Sequence, residues 1–375
     1  MRPERLRVVE DLRTIPAEQW RPLALVQPAF RLEVFRSLAE QSIRPRCFKA
    51  FMIEDSEGAS AAAVCQAVTQ AAQYSPLDSL LFGRARKLCE ALHLSPRPYL
   101  SFSLPLGGGA AISVRAADAN SARRCLNELL DGIETYASQR RFGVAFMGIE
   151  QDALPDSILR ERGYLACETP PTTMLAVEWN DIDGYVTHLR RTSASAASTV
   201  RNELTRAHKH GVAIRQIPCD DSGAQALYEF ASRHYRLKNG VEPVYAPDFF
   251  LRLASMLGED FLLFEARRNG ARTAMLGAVR SAEVAWVTWL GFDANERPND
   301  FTYFNLAYYA LAAFAPVAGI RTLLYGNGAY DAKLRRGCRM TRCGAFYRPH
   351  SSLMRGIASC FFLAHRTWYK QKKLR

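Results

Sequence analysis

The residues best suited to chemistry form one basic stretch near the end of the chain. Six basic residues and no acid lie between Lys333 and Arg348, and a Gly-Asn-Gly loop at residues 326–328 comes shortly before Lys333. Glycine lets the backbone approach a ligand closely, and clustered positive charge favours anionic ligands. The sequence therefore predicts a functional site here, with Lys333 as its first residue. The alternative is a surface lysine in a solvated basic patch.

The segments before this stretch predict the elements that position it. Apolar residues recur at helical spacing from Phe301 onward, at Phe304, Tyr308, Leu311 and Ala315. Asn299 and Asp300 can cap the start of this helix, and Pro316 and Gly319 can end it. Residues 321–325 form a short apolar run typical of a buried strand. The predicted order is thus helix, strand, glycine loop and lysine.

This order resembles the C-terminal half of the FemAB-like branch of the GNAT acyltransferase superfamily. Earlier segments are similar to other elements of that branch, namely the basic helix at residues 185–212 and the segments 245–250, 261–264 and 272–279. The resemblance covers residues 180–348 and depends on order and spacing, because no single motif is diagnostic. It implies an N-acyltransferase in which an amine attacks an activated acyl ester or thioester directly. A backbone N–H at a distorted central strand would then support the oxyanion.

The resemblance also suggests roles for individual residues. Lys333 would lie near the acyl-transfer centre, where a cation can stabilise charge on the donor carbonyl or hold a substrate carboxylate or phosphate. The catalytic candidates are Lys333, Tyr330, Tyr303 and Asp331, and the substrate-binding candidates are Asn327, Trp289, Tyr245 and Arg336. A tyrosine or aspartate can relay a proton from the amine, although aromatic residues at helical spacing are more often core. Strand alternation predicts that Trp286 and Trp289 face opposite sides.

A basic helix precedes this half of the chain. Asn202, Arg206 and Lys209 share one helix face, with Gly211 available as a C-terminal cap. Together with Arg201 they are the candidate residues for binding RNA or the acyl donor. A solvated helix face is the equally good alternative.

The sequence does not decide whether the acyl donor is acyl-CoA or aminoacyl-tRNA, and either would act as a co-substrate. No tightly bound cofactor is expected. The glycine-containing pyrophosphate loop of acetyl-CoA-dependent GNAT enzymes is missing at residues 295–301 and at residues 116–120. This loss and the basic charge slightly favour aminoacyl-tRNA. The expected acceptor is an amine-bearing small molecule, peptide or cell-wall precursor. The competing hypothesis is a non-catalytic GNAT pair that binds RNA or an anionic glycan.

The predicted fold class is α/β (α+β), with two GNAT-like mixed-sheet domains in tandem. The order of strands and helices recurs after Asp181, which indicates an internal duplication without repeated sequence. The predicted limits are 1–180 for the first domain, 181–350 for the acyltransferase domain and 351–375 for a basic C-terminal helix or tail. This tail can contact an anionic membrane surface, or dock as an ordinary terminal helix. The oligomeric state stays open.

Composition excludes several other classes of protein. Nine scattered cysteines without a CxxC pair favour reduced thiols in a cytoplasmic protein, and no histidine array is typical of a metal site. The GxSxG, P-loop and GxGxxG motifs are missing from their required settings. The formal net charge of +12 favours an anionic partner such as RNA, a nucleotide-containing carrier or an acidic membrane surface.

Overall fold

The computed structural model describes residues 6–25, 27–43, 46–55, 58–70, 76–82, 95–105, 109–293 and 300–373. The sequence also predicts a helix over residues 77–94 and a turn at the glycine run 107–109. Both lie partly or mostly outside these ranges, as does the stretch at residues 295–301.

The described residues form thirteen strands. They are β1 (Leu6–Val9), β2 (Phe48–Asp55), β3 (Gly58–Val68), β4 (Tyr99–Phe102), β5 (Ile112–Val114), β6 (Gly143–Glu150), β7 (Leu165–Ala176), β8 (Val212–Ile217), β9 (Phe261–Arg268), β10 (Ala271–Ser281), β11 (Val284–Phe292), β12 (Thr322–Gly326) and β13 (Arg339–Arg348).

The helices within the described residues are α1 (Ala17–Trp20), α2 (Leu32–Glu40), α3 (Pro76–Phe82), α4 (Ala119–Gln139), α5 (Leu154–Glu161), α6 (Ile182–Thr192), α7 (Ala194–Lys209), α8 (Asp221–Asn239), α9 (Pro247–Leu257), α10 (Thr302–Phe304), α11 (Ala310–Val317), α12 (Tyr330–Leu334) and α13 (Ser352–Lys373). A π-helical turn, Asn305–Tyr309, joins α10 to α11. The described part of the chain contains no helix whose length and apolarity would let it cross a membrane.

The first compact unit consists of Met1–Leu23, Arg46–Thr172 and Thr341–Arg375. Its strand order is β1-β2-β3-β4-β6-β13-β7, with β5 paired to β3. β4 and β6 run parallel, and α4 lies between them in the sequence, as a parallel connection requires. Leu130 of α4 packs with Phe51, Phe102 and Phe146 of the sheet, so the core lies between α4 and one sheet face.

The second compact unit consists of Ala24–Pro45 and Thr173–Met340. Its strand order is β8-β9-β10-β11-β12-β7, and again the last crossover is parallel, from β11 to β12 through α10 and α11. Helices α6, α7 and α11 pack on one face of this sheet, around Phe264 and Leu276. Helices α8 and α9 pack on the other face, where Phe250 contacts Phe261 and Trp289.

The mixed α/β fold class predicted from the sequence is confirmed, and the same order of elements recurs in the two halves. The compact units nevertheless differ in extent from the predicted segments 1–180 and 181–350. Ala24–Pro45 belongs to the second unit, because Arg31 bonds Asp260 and Gln41 bonds the backbone of Val244 and Ala246. Thr341–Arg375 belongs to the first unit, because β13 pairs with β6.

Two local predictions need refinement. The predicted basic helix at 185–212 is two helices, α6 and α7, and the Ser193 side chain between them accepts the backbone N–H of Ala196 as a cap. The helix predicted near Phe301 begins at Thr302, whose N–H is bonded by the side chain of Asp300 as expected. It ends at Val317, shortly before Gly319, which has a φ of 70°.

Candidate functional site

The ladder between the two central strands of the second unit ends early, and we call the unpaired stretch beyond it the gap. β11 and β12 pair over only three residue pairs, from Val284 with Thr322 to Trp286 with Leu324. Both strands are fully described, and beyond these pairs they are not paired with each other. On its other side β11 is distorted, because Val287 and Trp289 oppose adjacent residues of β10 and leave Thr288 as an extra residue. The distorted central strand implied by the resemblance is therefore present beside the gap.

This bulge changes the direction of one tryptophan. The rings of Trp286 and Trp289 lie 5.4 Å apart, and both are buried. The prediction that they face opposite sides is wrong, because the extra residue Thr288 makes their spacing equivalent to two positions of a regular strand. Both side chains therefore lie on one sheet face.

Trp289 sits in an aromatic cluster on the α8–α9 face. Its ring lies 5.7 Å from Phe249, 5.3 Å from Phe250 and 5.7 Å from Phe261. The buried ring of Tyr245 joins the same cluster, 5.1 Å from Phe250. Trp289 Nε1 is buried and has no hydrogen-bond partner among the described residues, so this indole still has a donor to offer. Tyr245, by contrast, is placed as a core residue.

On the opposite face, tyrosines lead to the end of β12. The ring of Tyr303 lies 6.1 Å from that of Tyr308, which lies 5.0 Å from that of Tyr325. Burial raises the pKa of Tyr325 well above its usual value, which keeps the hydroxyl protonated. This hydroxyl is buried and lacks a hydrogen-bond partner within the described part of the chain. Tyr303 is half-buried and also packs on Phe292.

Lys333 is buried and its amino group is fully engaged by the glycine loop. Its Nζ donates to the backbone carbonyls of Tyr325 at 2.8 Å, Gly326 at 3.1 Å and Asn327 at 3.1 Å. An ammonium group has three donors, so all are used. Burial lowers the pKa of Lys333 to about 8. The geometry thus makes Lys333 a clamp on the loop at the end of β12, where the sequence predicted direct contact with a substrate.

The other predicted residues of this segment surround the clamp. Asn327 is exposed between Gly326 and Gly328, whose φ angles of 63° and 78° lie in the region that favours glycine. Tyr330 begins α12 and is half-buried, and Asp331 follows it in an exposed position. The structure therefore brings Asn327, Tyr330, Asp331 and Lys333 together on one loop and its short helix.

Arg336 is buried in a polar network with Glu203 and Tyr309. Its Nη2 lies 2.5 Å from the Glu203 carboxylate, its Nε donates to the Tyr309 hydroxyl at 3.0 Å, and its guanidinium stacks on Phe304 at 3.6 Å. The Tyr309 hydroxyl also donates to Glu203. Burial alone would lower the pKa of Arg336, but Tyr309 and Glu203 raise it. Arg336 therefore links α7 to the segment that follows α12, and protein groups engage its guanidinium.

Sequence reasoning missed Glu203 and Tyr309. Glu203 follows Val200 by three positions and precedes Ala207 by four, so it lies on the apolar side of α7. A buried acid on the core face of a helix requires a hydrogen-bonding or charged partner. The position of Glu203 on that face could therefore have identified it from the sequence.

The four residues predicted to bind RNA or the donor lie together on the surface of α7. Arg201, Asn202, Arg206 and Lys209 are all exposed. Arg206 lies 5.6 Å from the ring of Phe301.

An apolar cavity of about 600 Å³ opens beside this helix. Ala207 and His208 of α7, Phe264 of β9, and Tyr309 and Phe314 line it. Tyr309 thus connects the cavity wall to the Glu203–Arg336 network. No group of three metal-ligating side chains occurs among the described residues.

One family model matches part of this unit. Residues 194–334 match the family model described as the acetyltransferase (GNAT) domain. These residues include the gap, the bulge and the Lys333 clamp. No curated protein matches the sequence at a significant level.

Solved structures share the fold over nearly the whole chain. The C-terminal domain of a candidate lysylphosphatidylglycerol synthetase from Agrobacterium fabrum is 10% identical with a TM-score of 0.57, covering 92% of this chain and 95% of that one. FemX is 11% identical with a TM-score of 0.54, covering 87% and 97%. L-PGS from Bacillus licheniformis is 10% identical with a TM-score of 0.53, covering 89% and 95%. At such low identity the likeness shows the fold.

Proposed function

We propose, from the match of residues 194–334 to the acetyltransferase (GNAT) domain model, that the chain is an N-acyltransferase that moves an acyl or aminoacyl group onto an amine. The observation that carries the proposal is the gap between β11 and β12 beside the bulge at Thr288. Backbone groups of β11 beyond Trp286 lack a partner on β12, since both strands are described and their ladder has ended. A donor carbonyl placed in the gap can accept hydrogen bonds from such N–H groups.

Direct attack by the amine fits the side chains around the gap. The free thiols of the described residues include Cys338 and Cys343, but burial raises the pKa of Cys338 to about 12, which makes it a poor nucleophile. Holding amine and carbonyl together in a fixed geometry can supply much of the rate. The Lys333 clamp fixes the loop on one side of the gap, and the unpaired Tyr325 hydroxyl and Trp289 indole offer hydrogen bonds on either face.

We favour aminoacyl-tRNA as the donor over acyl-CoA. The net charge of +12 and the exposed basic face of α7 both suit a large anionic donor. The acceptor is proposed as an amine on a small molecule, a peptide or a cell-wall precursor.

The test is a transfer assay with two donors. Purified full-length protein is incubated with a pool of radiolabelled aminoacyl-tRNA or with acetyl-CoA, in the presence of a panel of primary amines. Amine-dependent deacylation of tRNA is expected, with the label recovered on the amine. Transfer from acetyl-CoA alone would support the proposed acyltransferase activity but show that the donor is acyl-CoA. If neither donor supports transfer and the protein binds RNA or an anionic glycan tightly, the competing hypothesis of a non-catalytic binding module is favoured.

A further inference from the structure

Three arginines in the second unit converge on one buried carboxylate. Glu265 on β9 has no exposed surface, yet its oxygens accept hydrogen bonds from Arg215 at 2.6 Å, Arg267 at 2.6 Å and Arg272 at 2.7 Å. Burial alone would raise the pKa of Glu265, but these arginines lower it to about 2. The carboxylate is therefore ionised at neutral pH, and the cluster carries two net positive charges.

The register of the strands places these side chains on one face of three neighbouring strands. Arg215 of β8 is paired with Glu265, and Arg272 of β10 is paired with Arg267 of β9. Two arginines directly opposite each other repel, so the position of Glu265 between them stabilises the arrangement. We call the four residues Arg215, Glu265, Arg267 and Arg272 the arginine cluster.

The arginine cluster uses only part of its hydrogen-bonding capacity. Arg215 and Arg272 each donate to Glu265 through Nε, and Arg267 donates through Nε to Glu265 and through Nη1 to Gly270. Among the described residues no other hydrogen bond is made by these guanidinium groups. Their side chains are 64%, 29% and 38% exposed for Arg215, Arg272 and Arg267. Terminal N–H groups therefore remain for a ligand.

We propose that the arginine cluster binds a phosphate group of a polyanionic ligand. Guanidinium groups form forked, charge-assisted hydrogen bonds to phosphate, and a tetrahedral phosphate has enough acceptors to bridge two of them. Because their Nε atoms are already fixed by Glu265, the guanidinium groups lose little freedom on binding. A solvated surface would not require a fully buried acid to hold three arginines together.

This inference rests on the proposed function only for the source of the phosphate, which is the backbone of an aminoacyl-tRNA or the diphosphate of an acyl-CoA. It adds a contact surface on β8–β10, separate from the α7 face that the sequence predicted. On β9, Glu265 and Arg267 alternate with Phe264 and Ala266, which pack towards α7 and α11. The cluster therefore lies on the sheet face opposite α7.

The test places an acid beside the cluster without removing any member of it. Ala213 is exposed, opposes Arg267 in the β8–β9 pairing and precedes Arg215 by two positions, so it shares their face. Ala213→Glu should neutralise part of the charge, and Ala213→Gln is the matched control for size. Ala119→Glu, at the exposed start of α4 in the first unit, controls for the change in net charge.

Binding is measured by fluorescence anisotropy with labelled, uncharged tRNA and by calorimetry with CoA, on the full-length protein at several salt concentrations. We expect Ala213→Glu to weaken binding of one of these ligands about tenfold and to lower the slope of log K against log salt by about one. Both controls should stay within twofold of wild type. Loss for tRNA alone identifies the RNA backbone as the source, and loss for CoA alone identifies its diphosphate.

A second variant, Arg215→Ala with Arg272→Ala, should weaken binding further. Its control is Arg13→Ala with Arg123→Ala, which removes two exposed, ion-paired arginines of the first unit. If all cluster variants bind both ligands as tightly as their controls, the inference is wrong. If the protein transfers acyl groups but the cluster variants bind as tightly as their controls, the proposed function holds and the inference about the cluster fails. If the cluster variants weaken binding but the protein transfers no acyl group from any donor, the inference about the cluster holds and the proposed function fails.

Discussion

At the scale of single residues, the ammonium group of Lys333 bonds the loop that follows β12. Its ammonium group is held by three consecutive carbonyl groups at the end of β12. The loop includes two glycines with positive φ, which by themselves would leave it free to adopt other conformations. We therefore expect Lys333 to position the edge of the gap.

Lys333→Met should lower kcat for acyl transfer by about 100-fold, because misplacing a site by a fraction of the reacting distance costs this much. Methionine can retain the packing of the lysine stem but has no donor for the carbonyls. The measurement is steady-state kinetics with the donor that the transfer assay identifies. Arg335→Met, an exposed neighbour on the same turn, should stay within twofold of wild type.

The pH profile separates positioning from direct binding. Because burial lowers the pKa of Lys333 to about 8, the amine loses its charge and one donor as pH rises through 8. The wild-type rate should therefore fall above pH 8, and this limb should vanish in Lys333→Met. If Lys333→Met instead raises KM for the donor and leaves kcat unchanged, Lys333 binds the donor.

Glu203 and Arg336 form a buried ion pair. Glu203→Gln should lower the free energy of unfolding by about 3 kcal/mol, since it leaves a buried guanidinium without its counter-charge. The decrease is measured by urea denaturation. Combining it with Arg336→Met should restore part of the loss. Glu161→Gln removes the partner of the exposed Arg123 and should cost about 0.5 kcal/mol. Equal losses for the two glutamines would contradict the network.

At the scale of elements, β11 packs closely against α8. A side chain on Gly291 would place its Cβ 2.1 Å from the backbone carbon of Phe230, so only glycine allows this approach. The contact lies two residues beyond Trp289 and close to the bulge at Thr288. The helix and the bulged strand therefore share one constraint.

Gly291→Ala should lower the free energy of unfolding by about 3 kcal/mol, because the obstructing atoms are backbone and cannot rotate away. Thermal denaturation measures the change. Gly356→Ala in α13 is the control, since no atom lies within 4 Å of its added Cβ and alanine favours helix, so stability should be unchanged or slightly raised. A Gly291→Ala protein as stable as wild type would show that α8 can move away from β11.

At the scale of the whole molecule, the compact units are not consecutive in the sequence. α2 packs against α9 in the second unit, and Arg252 of α9 bonds both Glu40 and Asp248. Arg31 is buried and bonds Asp260 as well as the carbonyl of Arg280. The second unit is thus incomplete without a segment about 130 residues before most of it.

A chain that begins at residue 46 should therefore lose acyl transfer, although it keeps every predicted site residue. Hydrogen exchange in α9 should become faster, because the apolar surface that α2 covers is exposed. The comparison is a chain that ends at residue 350 and lacks α13, which packs on α3 in the first unit. It should keep slow exchange in α9. Unchanged exchange in both chains would mean that α2 does not stabilise the second unit.

Local patterns in the sequence determined the order of the elements around the site. The helix before β12, the strand itself and the Gly-Asn-Gly loop were predicted correctly, because periodicity and glycine act over a few residues. The duplicated α/β order followed for the same reason.

Only the tertiary structure decided how these elements are used. The extra residue at Thr288 is set by pairing with β10, so the direction of Trp289 depends on a neighbouring strand. The burial of Lys333 and the pairing of Arg336 with Glu203 join residues that local patterns treat separately. A charge in the sequence predicts affinity for anions in general, but its burial and its nearest partner depend on packing between distant segments.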